Sequence, residues 1–222
     1  MTRSKTYRKS IPLAELAEIH SGYSLRNPTS TRQESCTGRT GIPAEKTRMI
    51  QPQNIISGSF ENLHEISVRL AKNMTVLQPD DVLLTGRMNF KAAIFSSRNY
   101  ATDGQEQIKT LASAAIWIIR PKKDILNPGF LAFWLNSAHG QKILHSISSG
   151  FTTIKSIRKE DLENLSLSLP ALHRQQMIGN MYMCHLRLKA LRERQIFLQQ
   201  QLIEAAAQIQ TRRESIKEIE NL

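Results

Sequence analysis

MIGNMYMCHLRLKALRERQIFLQQQLIEAAAQIQTRRESIKEI, residues 177 to 219, decides how the rest of the chain is read. Alternating steps of four and three residues pick out Met177, Met181, Cys184, Leu188, Leu191, Gln195, Leu198, Leu202, Ala205, Ile209, Arg212, Ile216 and Ile219. The phase holds over the whole stretch, which contains no Pro and a single Gly, Gly179, near its start. That pattern predicts one long helix with a narrow apolar seam to bury against another helix. At about 1.5 Å per residue it would run roughly 60 Å, too long and too narrow for a small domain to cover. The alternative is an amphipathic helix folded back on the preceding domain. Its 3.6-residue period would drift by about 20° per heptad, and the sustained phase argues against it.

No other part of the chain offers a matching repeat, so the partner helix is expected from a second copy. Leu188, Leu191, Gln195, Leu198, Leu202, Ile209, Arg212 and Ile216 are the residues predicted to make that dimer or partner contact. Polar residues on a seam lower stability while fixing register and orientation. Gln195 and Arg212 therefore predict a specified pairing rather than a sticky one.

Working outward, the 222 residues leave room for one domain ahead of the helix, and 40% hydrophobic content is enough for a core. The formal net charge is +11 and the pI about 10, which points to a polyanionic partner. Residues 1 to 170 carry 22 basic against 14 acidic residues, so the excess sits mainly ahead of the helix. Cys36 and Cys184 are far apart and lack metal or redox spacing, which suits a reducing compartment and excludes a disulfide framework. No apolar run approaches the length of a membrane span. A soluble cytoplasmic protein without membrane contact is expected.

Along the chain, Leu13, Leu16, Ala17 and Ile19 predict a strand entering a short helix, closed by a turn at Ser21-Gly22. Strands are predicted at Met49 to Ile56, Ile66 to Leu70, Val82 to Thr85, Ala92 to Phe95, Ala114 to Ile119 and Leu165 to Leu169. Between Pro128 and Ile147 the apolar spacing becomes helical, opened by Asn127-Pro128 and closed by Gly150. The fold class predicted is α+β: a sheet-centred domain over residues 1 to 169, followed by a long coiled-coil helix over 170 to 222.

The specific catalytic spacings are missing. There is no phosphate-binding Gly-Lys-Ser/Thr loop, GxGxxG, HExxH, GxSxG, or Asn/Asp-Pro-Pro-aromatic run for methyl transfer. Pro79-Asp80-Asp81 raises a divergent Mg-dependent nuclease, since paired carboxylates hold Mg²⁺. Yet no acidic residue is followed two positions later by Lys, and Asp80-Asp81 reads better as a turn before the strand at Val82. His20, His64, His139, His145, His173 and His185 share no ligand spacing. No catalytic residue and no metal site is predicted.

Binding remains. Duplex DNA is held through its phosphates by Lys, Arg and polar donors, and read by a few side chains that reach base edges. Three polar segments have that composition. They supply Arg32, Arg39 and Arg48 from the first, Arg87, Asn89, Lys91, Arg98 and Lys109 from the second, and Thr152, Lys155 and Arg158 from the third.

The order of these pieces resembles the target recognition domain and conserved helix of the S (specificity) subunit of type I restriction-modification systems. IPLAELAEIHSGYS from Ile11 looks like the family's opening strand and Ser-Gly; QPQNIISG from Gln51 resembles its extended segment ending in Gly; LQPDDVLLTGR from Leu77 is similar to its Pro-Gly-Asp strand. LSLPALHRQQMI, from Leu167, resembles the family's Leu-Pro-Pro-Leu-x-Glu-Gln-x-x-Ile through Pro170, Leu172, Gln175 and Ile178. Ala171, Arg174 and Asp80 stand where the family has Pro, Glu and Gly.

Members typically carry two recognition domains and two antiparallel helices, so this chain resembles half a subunit, completed by a homodimer or by pairing with a different half subunit. The resemblance implies a sequence-specific reader of a bipartite double-stranded DNA target. It further implies modification (methyltransferase) and restriction subunits as partners, with S-adenosylmethionine, ATP and Mg²⁺ held by them and no cofactor in this chain. The alternative of another class is a coiled-coil scaffold that binds nucleic acid without sequence choice.

Overall fold

The computed structural model describes residues 10–24, 45–57, 60, 63–68, 70, 74–95, 108–149 and 155–220, with side chains up to residue 209. In chain order these form β1 (Ser10–Pro12), α1 (Leu13–Leu16), β2 (Ala17–Ser21), β3 (Glu45–Ile50), α2 (Pro52–Ser57) and β4 (His64–Val68). There follow β5 (Val82–Thr85), β6 (Ala92–Ile94), β7 (Thr110–Ala112), β8 (Ile116–Pro121), α3 (Pro128–Asn136), α4 (Ala138–Ile147), α5 (Lys159–Glu163), β9 (Ser166–Ser168) and α6 (Leu172–Glu220). The α+β class predicted from the pattern is the one observed. The chain divides into two compact units, residues 1–179 and 180–222.

An antiparallel sheet of order β2-β8-β5-β6 centres the first unit. Its inner strand β5 is VLLT, buried at all four positions, because β8 and β6 flank it and both of its faces are covered. Leu83, Ile116 and Ile118 on one face join Ile50, Ile55, Leu77, Phe95 and Ala112 in the core. Ile50 and Ala112 arrive there on a second sheet of order β4-β3-β7, in which β3 and β7 run parallel. A two-stranded ladder, β1 with β9, ties residues 10–12 to residues 166–168 just ahead of α6.

Three predicted elements come out differently. The short helix expected up to the turn at Ser21-Gly22 ends at Leu16, and Ala17–Ser21 form the strand β2, drawn into the sheet by antiparallel pairing with β8. The strand expected from Met49 to Ile56 stops at Ile50, because Pro52 opens the short helix α2, where proline's missing N–H costs nothing. The helix expected from Pro128 to Ile147 is two helices. Ser137 ends α3 and caps α4: its Oγ accepts from the Gly140 N–H at 3.1 Å and donates to the Trp134 carbonyl at 2.6 Å. Strand β7 was not foreseen, since three residues are too few to show a period.

Asp80 and Asp81 form the turn before β5, as the pattern suggested. Asp81 is buried, and both its oxygens meet Arg120 on β8, at 2.8 Å to Nε and 2.9 Å to Nη2. Oδ2 also accepts from the Gln78 N–H at 2.8 Å. These hydrogen bonds first, and then the charges of Asp81 and Glu18, raise the Arg120 pKa above its ordinary value against the opposing effect of desolvation. Asp80 pairs instead with Lys123 at 2.7 Å. Each carboxylate is thus engaged by a cation, which leaves the nuclease alternative without a free acidic pair at this turn. Asp80 has φ 76°, a backbone that glycine adopts freely and Asp tolerates.

The first turns of α6 belong to the first unit and are fixed there by polar bonds. The Gln175 side chain, 2% exposed, accepts from the Asn127 N–H at 3.0 Å and donates to the carbonyls of Ile125 at 3.1 Å and Pro170 at 2.9 Å. Asn127 in turn caps α3 by accepting from the Phe130 N–H at 3.0 Å. One turn beyond Gln175, Gly179 crosses Gly129 so closely that a Cβ on Gly179 would lie 2.4 Å from Asn127 Oδ1. Glycine at both positions is what lets α3 and α6 meet.

Candidate nucleic-acid interface

The connection from β5 to β6 carries three of the predicted residues, Arg87, Asn89 and Lys91, all exposed. Its stem is held from several sides. The Thr85 hydroxyl donates to the Asn89 carbonyl and accepts from the Lys91 N–H at 2.9 Å. Phe90 is fully buried, and its carbonyl accepts from Gln141 on α4 at 2.6 Å. Asn136 on α3 bonds both the N–H and the C=O of Ala92, at 3.1 and 2.8 Å. A short polar loop is therefore presented on a buried support, as a reading element requires.

Residues 155–158 lie alongside it. The Met88 N–H donates to the Lys155 carbonyl at 3.0 Å, the Ile157 N–H donates to the Gly86 carbonyl at 3.0 Å, and Arg87 and Ser156 form an antiparallel bridge. Trp117 on β8 closes the joint: its Nε1 donates to the Ile157 carbonyl at 3.1 Å, and Gly86 packs on its ring. Arg87, Asn89 and Lys91 are thereby brought to one edge of the fold with Lys155 and Arg158, from a different predicted segment and more than sixty residues further along the chain. Arg158 bonds Asp161 at 3.1 Å. Among the described residues Arg87, Lys91 and Lys155 meet no acidic side chain, which leaves their charge available to a polyanion.

Arg48 and Lys109 lie elsewhere, on and beside the three-stranded sheet. Each meets an acidic neighbour, Arg48 with Glu65 at 3.7 Å and Lys109 with Glu45 at 2.7 Å. The Lys109–Glu45 pair is exposed and Arg48 half-buried beside an exposed Glu65; exposed pairs are worth only about 0 to 1 kcal/mol and exchange readily for a phosphate. Arg32, Arg39, Arg98 and Thr152 fall outside the described residues. Pattern reading missed Gly86, Met88, Phe90 and Trp117 at this edge. The available signal was a Gly just past the apolar run Val82–Leu84 and Thr85, followed by alternating polar and large apolar residues.

On α6, the predicted contacts Leu188, Leu191, Leu198, Leu202 and Ile209 line one face and are between 48% and 71% exposed. Gln195 lies among them, and Leu191, Gln195, Leu198 and Leu202 share a shallow groove with Arg194 and Gln199. Arg212 and Ile216 fall further along the same helix. Met183, Leu186, Ile196, Phe197 and Ile203, off that face, are exposed as well and are spread around the rest of the helix. Among the described residues no helix is long and apolar enough to cross a membrane, and no group of His, Cys, Asp or Glu side chains is placed to hold a metal ion.

A sheet-centred domain with a supported basic loop, followed by a long helix, defines an α+β domain with a helical extension. The chain belongs to the family of type I restriction modification DNA specificity domains, whose model matches residues 71–196, more than half of its length. That span includes the β5–β6 loop, residues 155–158, Gln175 and the first part of the seam. A search of functionally curated proteins returned no match.

Among solved structures, the chain is similar to the HsdS subunit from Thermoanaerobacter tengcongensis, at 19% identity, 83% coverage of this chain and TM-score 0.48. It is similar also to the type I restriction-modification S subunit from M. genitalium, at 13%, 82% and 0.46. A third similar chain comes from a structure titled for complex assembly and conformational transition of the type I R-M system, at 22%, 83% and 0.49. The chain spans 38 to 40% of the length of these three.

Proposed function

We propose that this chain is a DNA-reading subunit of a type I restriction-modification complex. It contacts duplex DNA and directs partner methyltransferase, nuclease and translocase subunits to a bipartite target without catalysing a reaction itself. The observation that carries the reading is the convergence of Arg87, Asn89, Lys91, Lys155 and Arg158 on one supported edge of a domain from this family. Arg87 and Asn89, at the loop tip, reach base edges, for which Arg to guanine and Asn to adenine are the favoured pairings. Lys91, Lys155, Arg158, Arg48 and Lys109 hold phosphates, joined by Arg32, Arg39, Arg98 and Thr152.

The seam of α6 pairs with a second copy, so that two recognition domains read inverted half-sites at a spacing the helices set. Helix orientation follows from charge. A parallel, in-register pair would set Arg187 of each copy against Arg192 of the other on both flanks, and an antiparallel pair avoids this. The exposed apolar residues outside the seam, Met183, Leu186, Ile196, Phe197 and Ile203, are left to the methyltransferase subunit. S-adenosylmethionine, ATP and Mg²⁺ belong to the partner subunits, and the complex acts in the cytoplasm.

Mapping base methylation in a host with and without the chain tests this function. A bipartite methylated motif that vanishes on deletion is the expected result. An unchanged methylation pattern would favour a scaffold that binds nucleic acid without sequence choice. Light scattering of the purified chain should give a dimer, and a monomer at micromolar concentration would refute the pairing.

A further inference from the structure

Met88 stands at the tip of the β5–β6 loop between Arg87 and Asn89, and it is 61% exposed. Its φ is 63°, in the left-handed region. Both facts are unfavourable for the fold by itself. A turn residue with positive φ is ordinarily Gly, Asn or Asp, and an exposed apolar side chain gains nothing from water. The stem below is fixed by Thr85, Phe90 and the bond from the Met88 N–H to the Lys155 carbonyl, so the tip is held in this conformation rather than left to relax. An unfavourable conformation maintained by its surroundings marks a functional position.

The surroundings also say what the side chain meets. Arg87, Lys91 and Lys155 make the neighbourhood cationic and suited to a nucleic acid. The exposed loop residues 87–91, bridged to Ser156 beside them, are what can reach into the major groove, and there the apolar group on a base edge is the 5-methyl of thymine. We infer that Met88 is a specificity-determining residue, seating its thioether side chain against a thymine methyl between base-edge contacts from Arg87 and Asn89. This rests on the DNA-reading function proposed above. Met is unbranched and polarisable, so it adapts to a methyl without exact prior fit.

The test is selection by the full chain, with its partner subunits, from random duplex libraries, followed by affinity measurements on the enriched duplex with uracil replacing thymine one position at a time. For the wild type, one uracil replacement in each half-site should weaken binding about 4-fold, the effect of one buried methyl. M88A and M88Q should bind the thymine and uracil duplexes equally while enriching the rest of the motif unchanged. M88Q nearly preserves length and keeps the comparison valid if truncation disturbs the turn. A wild type indifferent to every thymine methyl, or variants that retain its sensitivity, would overturn the inference and leave the DNA-reading function intact. Failure of the wild type to enrich any sequence would overturn both.

Discussion

Substituting Gly179 by Ala sets two physical effects of opposite sign against each other. Gly179 lies inside α6, where Ala is favoured over Gly by about 1 kcal/mol of helix propensity. The new Cβ, however, would lie 2.4 Å from Asn127 Oδ1, 2.9 Å from the Phe130 nitrogen and 3.1 Å from the Gly129 carbonyl carbon. Two of these atoms are backbone and cannot swing away, so α3 and α6 must separate. Overpacking of this kind costs about 1 to 3 kcal/mol. Pushing Asn127 off the Phe130 N–H removes the α3 cap, for about 1 kcal/mol more. G179A should therefore destabilise the protein by about 1 to 3 kcal/mol.

The assay is urea unfolding of the full chain at fixed concentration, since the proposed pairing would make the apparent stability concentration-dependent. With a slope of about 2 to 3 kcal/mol/M, the midpoint should fall by roughly 0.3 to 1.5 M. N180A, one residue further on the exposed surface of the same helix, is the control. Its midpoint should hold or rise. A G179A midpoint at or above that of N180A would refute the close crossing of α3 and α6 as the reason for glycine.

D81N replaces a charged acceptor of two Arg120 bonds and should lose about 2 to 4 kcal/mol in the same urea titration, toward the low end because Arg120 keeps some access to water. The pKa of Arg120 is raised, so the stabilisation this reports is complete below its unfolded-state value and is lost only as pH rises through its folded-state value. Stability from this pair should accordingly be flat between about pH 6 and 9. D80G removes only an exposed pair with Lys123 and places glycine at φ 76°, so its midpoint should stay within about 0.5 kcal/mol of wild type or rise. G86A drives a Cβ to 2.8 Å from Trp117 Nε1 and loosens the joint to Ile157. In a DNA-binding titration it should weaken affinity several-fold without changing the number of bound charges read from the salt dependence.

The resemblance in residues 167–178 contained more than a family likeness. Gln175 is the three-bond anchor of α6, and the glycine usual where Asp80 stands is explained by a positive φ. The matched pattern thus marked positions whose chemistry the fold requires, but the pattern alone did not say what that chemistry was. Asp81 illustrates the limit: a carboxylate beside another in a turn reads equally as a metal ligand or as half of an ion pair until Arg120, 39 residues later, is placed.

By itself the sequence determined the long helix, because a seam of this length is a local periodicity that needs no tertiary knowledge. It likewise determined β5, whose apolar run is bounded by turns, and the location of the basic excess ahead of the helix. The tertiary structure decided which loops meet. Arg87 to Lys91 and Lys155 to Arg158 converge through backbone bonds that close over Trp117, and backbone groups are the same in every residue, so no side-chain pattern announces them. It also decided that the helix is fixed at its start by Gln175 and Gly179. What one glycine must avoid depends on what crosses it, and only the packed chain supplies that neighbour.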